Sequence, residues 1–156
     1  MDLRTPEAER YWQEFCHRTG APVEARHDVF RFGDSAEMAD RLLDLVLNGP
    51  KRATAGLLES FDDDNPVPET GAYAVIVDGA GTPRCVMRTT DVAIKPLGEV
   101  DAAFAWDEGE GDRSLDYWLE AHRAAFTRQL AAENRTLTDD MPVVLERFEV
   151  LWPATA

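Results

Sequence analysis

The chain has 156 residues, of which 44% are hydrophobic and 29% are charged. This composition is typical of a folded globular protein and argues against global disorder or a fibrous repeat. The 30 acidic and 16 basic side chains give a net charge of −14. Because nonspecific binding to duplex DNA or to an anionic membrane depends on cationic side chains, we expect neither. No apolar run has the length of a membrane span and the N-terminus does not resemble a secretory signal, so we expect a cytoplasmic protein.

The first 33 residues predict a helix and a short strand. Thr5 followed by Pro6 is a typical N-cap and first helical residue, and apolar side chains then recur at helical spacing until Gly20. Residues 27–32 alternate polar and apolar side chains, which predicts a half-buried strand. We therefore expect a helical extension over residues 1–26.

A second helix is predicted after this strand. Asp34 and Glu37 have the spacing of a capping box, and a buried stripe continues from them to Leu47. Residues 48–49, Asn-Gly, tolerate a left-handed helix end, and Pro50 cannot continue the helix. The basic residue that follows is therefore expected to leave a helix end at a defined place.

The rest of the chain predicts strands, a short helix and a long helix. Residues 73–77 and 84–94 flank a glycine-rich turn and predict an antiparallel hairpin. Residues 96–106 predict a short helix or turn, Asp112 is the expected cap of a long helix, and residues 142–152 predict the last strand. The apolar stripe of the long helix comprises Leu115, Trp118, Leu119, His122, Phe126 and Leu130.

Short strands with hairpins and inserted helices favour an α+β fold, a small, mixed and mostly antiparallel β-barrel decorated by helices, over a doubly wound parallel sheet. No phosphate-binding glycine motif is present. We expect one domain over residues 1–156, with the barrel and its inserted helices in residues 27–152. Cys16 and Cys85 are expected to be buried, reduced thiols. Four tryptophans are expected mostly in the core: Trp12, Trp106, Trp118 and Trp152.

Two motifs carry a family resemblance. Residues 49–54 have the pattern GxKxxT, and residues 108–112 read EGEGD, with Trp118 and His122 downstream. These motifs resemble those of the ASCH family, and the likeness covers most of residues 28–152. The resemblance implies a β-barrel related to the PUA domain, a fold found in proteins that bind or modify RNA.

The resemblance also implies a candidate centre formed by Lys51, Thr54 and Glu108, which match the Lys, Thr and Glu of the family's amidohydrolase members. Some members of the family that this chain resembles hydrolyse N4-acetylcytidine, and others look like ribonucleases that act on single-stranded RNA. A hydroxyl becomes a good nucleophile only when a base accepts its proton, and a lysine accepts it only where its pKa is lowered. A departure is Pro50, where many members have a basic residue, which weakens the local positive field.

Strand geometry argues against direct contact between Lys51 and Thr54, because alternate side chains point to opposite faces. They converge only if the chain forms a turn or bulge between them. Taken alone, Lys51 would be an ordinary solvated lysine, and Thr54 would be an ordinary threonine of a strand. The candidate substrate-binding residues are Arg52, Tyr73, Arg88, Glu110 and His122.

The carboxylates of Glu108, Glu110 and Asp112 could bind a divalent cation, but they lack EF-hand spacing and also fit a solvated capping loop. We leave the metal open; a divalent cation could act as a cofactor if the protein is a ribonuclease. His122 fits either a core histidine or a cleft wall.

Three functions remain open. The leading hypothesis is a cytoplasmic hydrolase of RNA or of a modified nucleoside, and the net charge of −14 favours a small substrate without phosphates. The alternative is a noncatalytic module that binds RNA or a nucleotide in the same cleft. The third is a protein-interaction domain, which we would prefer if the first helix exposed its aromatic face.

Overall fold

Each of the four α-helices begins at a side chain that caps its first turn. In the computed structural model, which describes residues 2–153, Thr5, Ser35, Asp101 and Ser114 each accept a hydrogen bond from the backbone N–H three residues further on. The helices are α1 Pro6–Thr19, α2 Ala36–Leu47, α3 Ala102–Glu108 and α4 Leu115–Ala131. None of the helices in this part of the chain is long and apolar enough to cross a membrane.

Two predicted capping residues are wrong by one or two positions. Ser35, not Asp34, caps α2. Ser114, not Asp112, caps α4, and the Asp112 carboxylate instead accepts a hydrogen bond of 2.9 Å from the Ser114 N–H. Serine and aspartate are about equally good caps, so neighbouring candidates cannot be ranked from their residue types.

The end of α2 differs from the predicted left-handed turn. The helix stops at Leu47, as predicted, but Asn48 has a φ of −123°. The Asn48 backbone N–H donates to the Asp44 carbonyl at 2.8 Å, and its side-chain amide donates to the Asp44 carboxylate at 2.8 Å. Side-chain bonding therefore replaces the left-handed cap here, and Pro50 follows the helix as predicted.

The strands form an open sheet in the order β1-β3-β4-β5-β2. Their bounds are β1 His27–Phe30, β2 Ala53–Leu57, β3 Tyr73–Val77, β4 Pro83–Pro96 and β5 Pro142–Trp152. Strand β1 is parallel to β3, whereas β3 with β4 and β2 with β5 are antiparallel. The α+β class and the mostly antiparallel pairing are confirmed. The described strands do not close the sheet into a barrel, because the short strands β1 and β2 form its two edges.

The chain falls into two compact units, each with its own apolar core. The first contains the residues up to Gly49, Glu69–Thr90, and those from Phe148 onward. In this unit the aromatic face of α1 is buried, with Trp12 and Phe15 packed near Val75 of β3. The face of α1 is therefore not offered to a partner, which removes the main reason to regard the protein as an interaction domain. Cys16 and Cys85 are both buried, as predicted, and neither forms a disulfide within the described residues.

The second unit contains Pro50–Pro68 and Asp91–Arg147. Its core is formed by apolar side chains of α3, α4 and β2 with parts of β4 and β5. Phe104 and Ala105 of α3 face this core, and Trp106 lies on the opposite side of the helix with 56% of its surface exposed. The predicted core position of Trp106 is therefore wrong, whereas Trp12 and Trp118 are buried as predicted.

Candidate functional site

Two segments of the second unit, far apart in sequence, meet at the backbone. The N–H of Arg52 donates to the carbonyl of Asp107 at 2.8 Å. Gly109, which ends α3 with a left-handed φ of 70°, lies so close that a Cβ there would be 2.8 Å from the backbone of Lys51 and of Pro50. Only glycine combines this φ with this approach. The first glycine of the EGEGD motif therefore brings the two segments together.

The ammonium group of Lys51 is enclosed by oxygen atoms. Lys51 is only 1% exposed. Its Nζ donates to the Ala53 carbonyl at 2.9 Å, to Glu110 Oε2 at 3.1 Å and to the Glu108 carbonyl at 3.5 Å. Glu108 Oε1 lies 3.6 Å away. The structure thus brings Lys51 and Glu108 together, at a sequence separation of 57 residues.

The Glu108 carboxylate is buried and fully engaged. It is 2% exposed, Trp118 Nε1 donates to its Oε2, and His122 Nε2 lies 2.9 Å from its Oε1. Burial alone would raise the pKa of Glu108, but the nearby charges of Lys51 and His122 and these hydrogen bonds lower it to about 2. Glu108 is therefore ionised at neutral pH.

His122 links Glu108 to α4. Its Nδ1 lies 2.8 Å from the Trp118 carbonyl, so both ring nitrogens face oxygen acceptors. The ring stacks on Trp118 with a centroid separation of 4.0 Å and an angle of 13°. Burial lowers the pKa of His122, but the charge and hydrogen bond of Glu108 more than offset this and raise it. His122 was expected to be either a core histidine or part of a cleft wall, and it has features of both, because it is partly buried and also contacts Glu108.

Two of the three carboxylates considered as metal ligands, those of Glu108 and Glu110, lie against Lys51. With His122, which contacts Glu108, these residues form the Lys51 cluster. Glu108, Glu110 and His122 offer ligand atoms within 4.8 Å of one another, close enough for a divalent cation. The ammonium of Lys51 already lies against both carboxylates, so a divalent cation would have to displace it. The carboxylates of Glu108 and Glu110 therefore have the Lys51 ammonium as the cation that they bind. Asp112 is exposed and does not belong to the cluster.

Thr54 follows Lys51 by three residues but does not form a hydrogen bond with it in the described structure. Strand β2 begins at Ala53, so Lys51 precedes the strand, and Thr54 pairs with Glu146 of β5. Thr54 is half-buried, and within residues 2–153 no hydrogen bond joins its hydroxyl to Lys51. Arg52 Nη1 donates to the Lys51 carbonyl at 2.6 Å, which fixes the backbone at the start of the motif.

Two predicted substrate-binding residues, Tyr73 and Arg88, belong to the first unit. They are cross-strand partners on β3 and β4. The Arg88 guanidinium lies 5.0 Å from the centre of the Tyr73 ring, and its Nε donates to the Gly71 carbonyl at 3.1 Å. In this structure they therefore bind each other.

Trp118 has a role that was not predicted from the sequence, because its indole donates to Glu108. We expected only a core tryptophan. A signal for more was available, because Trp118 and His122 are four residues apart and so share one helix face. Side chains that share a face near an acidic loop are candidates to bind the same carboxylate.

Comparisons with known proteins identify the family of the chain. A protein of Enterococcus faecalis V583, assigned to family DUF984, is 37% identical, with a TM-score of 0.82 over 93% of this chain and 88% of that one. An ASCH domain from Lactobacillus crispatus JV V101 is 29% identical, with a TM-score of 0.83 over 94% of this chain and 96% of that one. No curated protein matches the sequence significantly. The family model for the ASCH domain matches residues 28–152, which is most of the chain, and the chain therefore belongs to the ASCH domain family.

Proposed function

We propose that this protein is a hydrolase that acts on RNA or on a modified nucleoside, with Lys51, Thr54 and Glu108 at its centre. The ASCH domain has a PUA-like fold, which favours RNA or its components as the substrate class. The observation that carries the proposal is the buried Lys51 ammonium between the carboxylates of Glu108 and Glu110.

Buried charges of this kind are better explained by function than by stability. Removing an ion from water costs several kcal/mol, and buried ion pairs can often be replaced by apolar side chains without loss of stability. An apolar pair could therefore occupy the buried positions of Lys51 and Glu108, which are 1% and 2% exposed, so stability alone does not account for the two charges. A buried carboxylate whose pKa is strongly shifted by a specific charged partner is a typical feature of functional sites.

The cluster together with Thr54 would supply the groups that amide hydrolysis needs. Lys51 would pass a proton to Glu110, whose Oε2 is 3.1 Å away, and its neutral amine would then accept the proton of the Thr54 hydroxyl. Thr54 Oγ1 would bond to the acyl carbon, the carbon–nitrogen bond would break, and the departing amine would take the proton from Lys51. Water would then release the carboxylic acid and restore Thr54.

In this scheme Glu108 is a positioning residue for Lys51. The bond between the Lys51 amine and the Thr54 hydroxyl would form on substrate binding, since catalytic hydrogen bonds often shorten in the complex. The net charge of −14 favours an uncharged nucleoside, such as N4-acetylcytidine, over long RNA.

The experiment is to incubate the protein with N4-acetylcytidine and with single-stranded RNA, with and without Mg²⁺ or Mn²⁺, and to measure released product. Thr54→Ala should lose nearly all rate while retaining substrate binding, and Thr54→Ser should recover part of the rate. Thr90→Ala, at an exposed threonine of β4, is the matched control and should keep the full rate. An absence of turnover on both substrates, beside an active relative, would refute the proposal.

A second candidate, a noncatalytic module that binds RNA or a nucleotide, is favoured by one observation. Among the described residues Lys51 Nζ donates to Ala53 and Glu110 but not to the Thr54 hydroxyl, so the lysine is paired here as a cation and not as a base for Thr54. For such a module, Thr54→Ala should leave the affinity unchanged and no product should form. The same assay therefore separates the two functions.

A further inference from the structure

Glu110 covers the Lys51 ammonium on the side nearest to solvent. Its side chain is 17% exposed, whereas those of Lys51 and Glu108 are 1% and 3% exposed. Lys51 Nζ also donates to the carbonyls of Ala53 and Glu108, which belong to β2 and α3. Glu110 instead lies in the irregular segment between α3 and α4, residues 109–114, which we call the lid loop. A substrate can reach Lys51 only after one of these covers has moved.

Two glycines flank Glu110 and allow its backbone to turn. Gly109 has a φ of 70° and Gly111 a φ of 56°, both left-handed. Glycine moves between such conformations more freely than other residues because it has no Cβ. At Gly111 a Cβ would also lie 2.5 Å from the Tyr117 ring, so the ring packs directly on the loop. Small residues of this kind at the ends of a mobile segment are typical hinges of a lid.

Arg113 fastens the lid loop to α3. Its guanidinium carbon lies 3.6 Å from the centre of the Trp106 ring, and its Nε donates to the Trp106 carbonyl at 2.9 Å. Its backbone N–H donates to the Glu110 carbonyl at 2.9 Å. Its φ of 65° is left-handed, which is unfavourable for a residue other than glycine. The contacts with Trp106 therefore hold the loop in a conformation whose strain would be relieved by opening.

The lid loop is the cover of Lys51 that can move at the lowest free energy. Gly111 and Asp112 are exposed, and Glu110 and Arg113 are only partly buried. Segments with few buried apolar contacts open locally, without unfolding of the whole protein. Moving the start of β2 would instead break its pairing with β5, and moving α3 would uncover the buried Phe104.

We infer that the lid loop is a gate over Lys51, with Glu110 as its plug and the contact between Arg113 and Trp106 as its latch. Opening withdraws Glu110 from Lys51 Nζ and offers its place to the substrate. In the proposed reaction Glu110 has by then accepted the proton of Lys51, so two neutral groups separate and a neutral amine is uncovered. The inference rests on the proposed function for what enters the site, and on the geometry alone for the gate.

Amine labelling tests the gate directly, because Lys51 and Lys95 are the two lysines of the chain. The folded protein is treated at one fixed pH with an acetylating N-hydroxysuccinimide ester, and mass spectrometry follows each lysine. Lys95 is exposed and is the internal reference. Lys51 of the wild type should react more slowly by about 100-fold or more. Its rate should not change in urea below the unfolding transition, because opening of the loop exposes little surface.

Arg113→Ala removes the latch and keeps the unfavourable φ. Loss of the cation–π contact and of one hydrogen bond should raise the rate of Lys51 labelling about tenfold relative to Lys95. Arg113→Gly removes the latch and the strain together, so the rate should rise less. Arg123→Ala is the matched control, at an arginine of α4 whose exposed ion pair with Asp139 is 3.0 Å long, and should leave the rate unchanged.

The gate should also appear in the kinetics of hydrolysis. The KM for N4-acetylcytidine should fall about tenfold in Arg113→Ala while kcat stays the same, because a larger fraction of the protein is open before the substrate binds.

The inference would be overturned if Lys51 of the wild type were labelled as fast as Lys95, or if its labelling rose with urea in parallel with unfolding. Equal rates of Lys51 labelling in the wild type and Arg113→Ala, or an unchanged KM, would overturn it as well. Failure of the proposed function gives a different result, in which Lys51 labelling depends on Arg113 but neither N4-acetylcytidine nor RNA is hydrolysed.

Discussion

Replacing Lys51 with methionine removes the buried ammonium and keeps an unbranched side chain of similar length. Glu108 then remains buried, with its largest source of charge stabilisation gone. The difference between its ordinary pKa of 4.5 and a folded value of about 2 corresponds to about 3 kcal/mol of folding free energy. Removal of one partner from a buried ion pair costs about 3–5 kcal/mol in other proteins. We therefore expect Lys51→Met to lower the free energy of unfolding by about 3 kcal/mol at pH 7.

Urea unfolding followed by circular dichroism measures this loss, and Lys95→Met, at the exposed second lysine of the chain, is the control. Adding Glu108→Gln to Lys51→Met should restore stability, because it removes the unpaired buried charge. The deficit of Lys51→Met should also shrink as the pH falls and Glu108 becomes protonated, because a neutral carboxyl no longer needs the ammonium as its partner. A deficit equal to that of Lys95→Met, or a double variant less stable than Lys51→Met, would refute this reasoning.

Two other predictions follow from the same cluster. The pKa of Glu108 is lowered in the folded state, so the stability that Glu108 contributes is present above about pH 4.5 and is lost as the pH falls towards 2. The pKa of His122 is raised in the folded state, so the stability that His122 contributes is present below about pH 6.5 and is lost as the pH rises through the folded pKa. Urea unfolding of the wild type should therefore be most difficult between these limits, and the decline above pH 6.5 should vanish in His122→Gln. Gly109→Ala should lower the free energy of unfolding by about 2 kcal/mol or more, and Gly20→Ala by about 1 kcal/mol. Both glycines have a positive φ, but only at Gly109 would the new Cβ lie 2.8 Å from backbone atoms of another segment. Equal losses in the two variants would contradict this close approach.

Local signals predicted most elements of the fold. The Thr5 cap begins α1, the glycine-rich turn joins the antiparallel strands β3 and β4, and β5 has the predicted bounds 142–152. The parallel pairing of β1 with β3 was not predictable, because His27 meets Tyr73 across 46 residues and no local pattern encodes that partner. Local propensities thus determine the elements, whereas packing determines which edges meet.

The candidate site was predictable only in part and for a similar reason. Residue types suggested roles for Lys51 and Glu108, but their proximity followed from the family resemblance and not from the spacing. Strand alternation argued that Lys51 and Thr54 diverge, and the described structure joins them by no hydrogen bond. Trp106 was expected in the core because tryptophan usually is; its position on α3, opposite the buried Phe104 and Ala105, was the better guide.

A comparison within the chain identifies what distinguishes the candidate site. In the first unit His27 stacks on Trp12 at 4.0 Å and 13°, the same values as for His122 on Trp118, and it too contacts a glutamate, Glu9. The carboxylate side chain of Glu9 is 48% exposed, however, and the Trp12 indole donates to a backbone carbonyl. A stacked histidine that contacts a solvated glutamate requires little desolvation of charge, so an ordinary structural role explains it. What indicates chemistry in the second unit is therefore the buried carboxylate of Glu108 with the buried ammonium of Lys51, and not the histidine and tryptophan beside them.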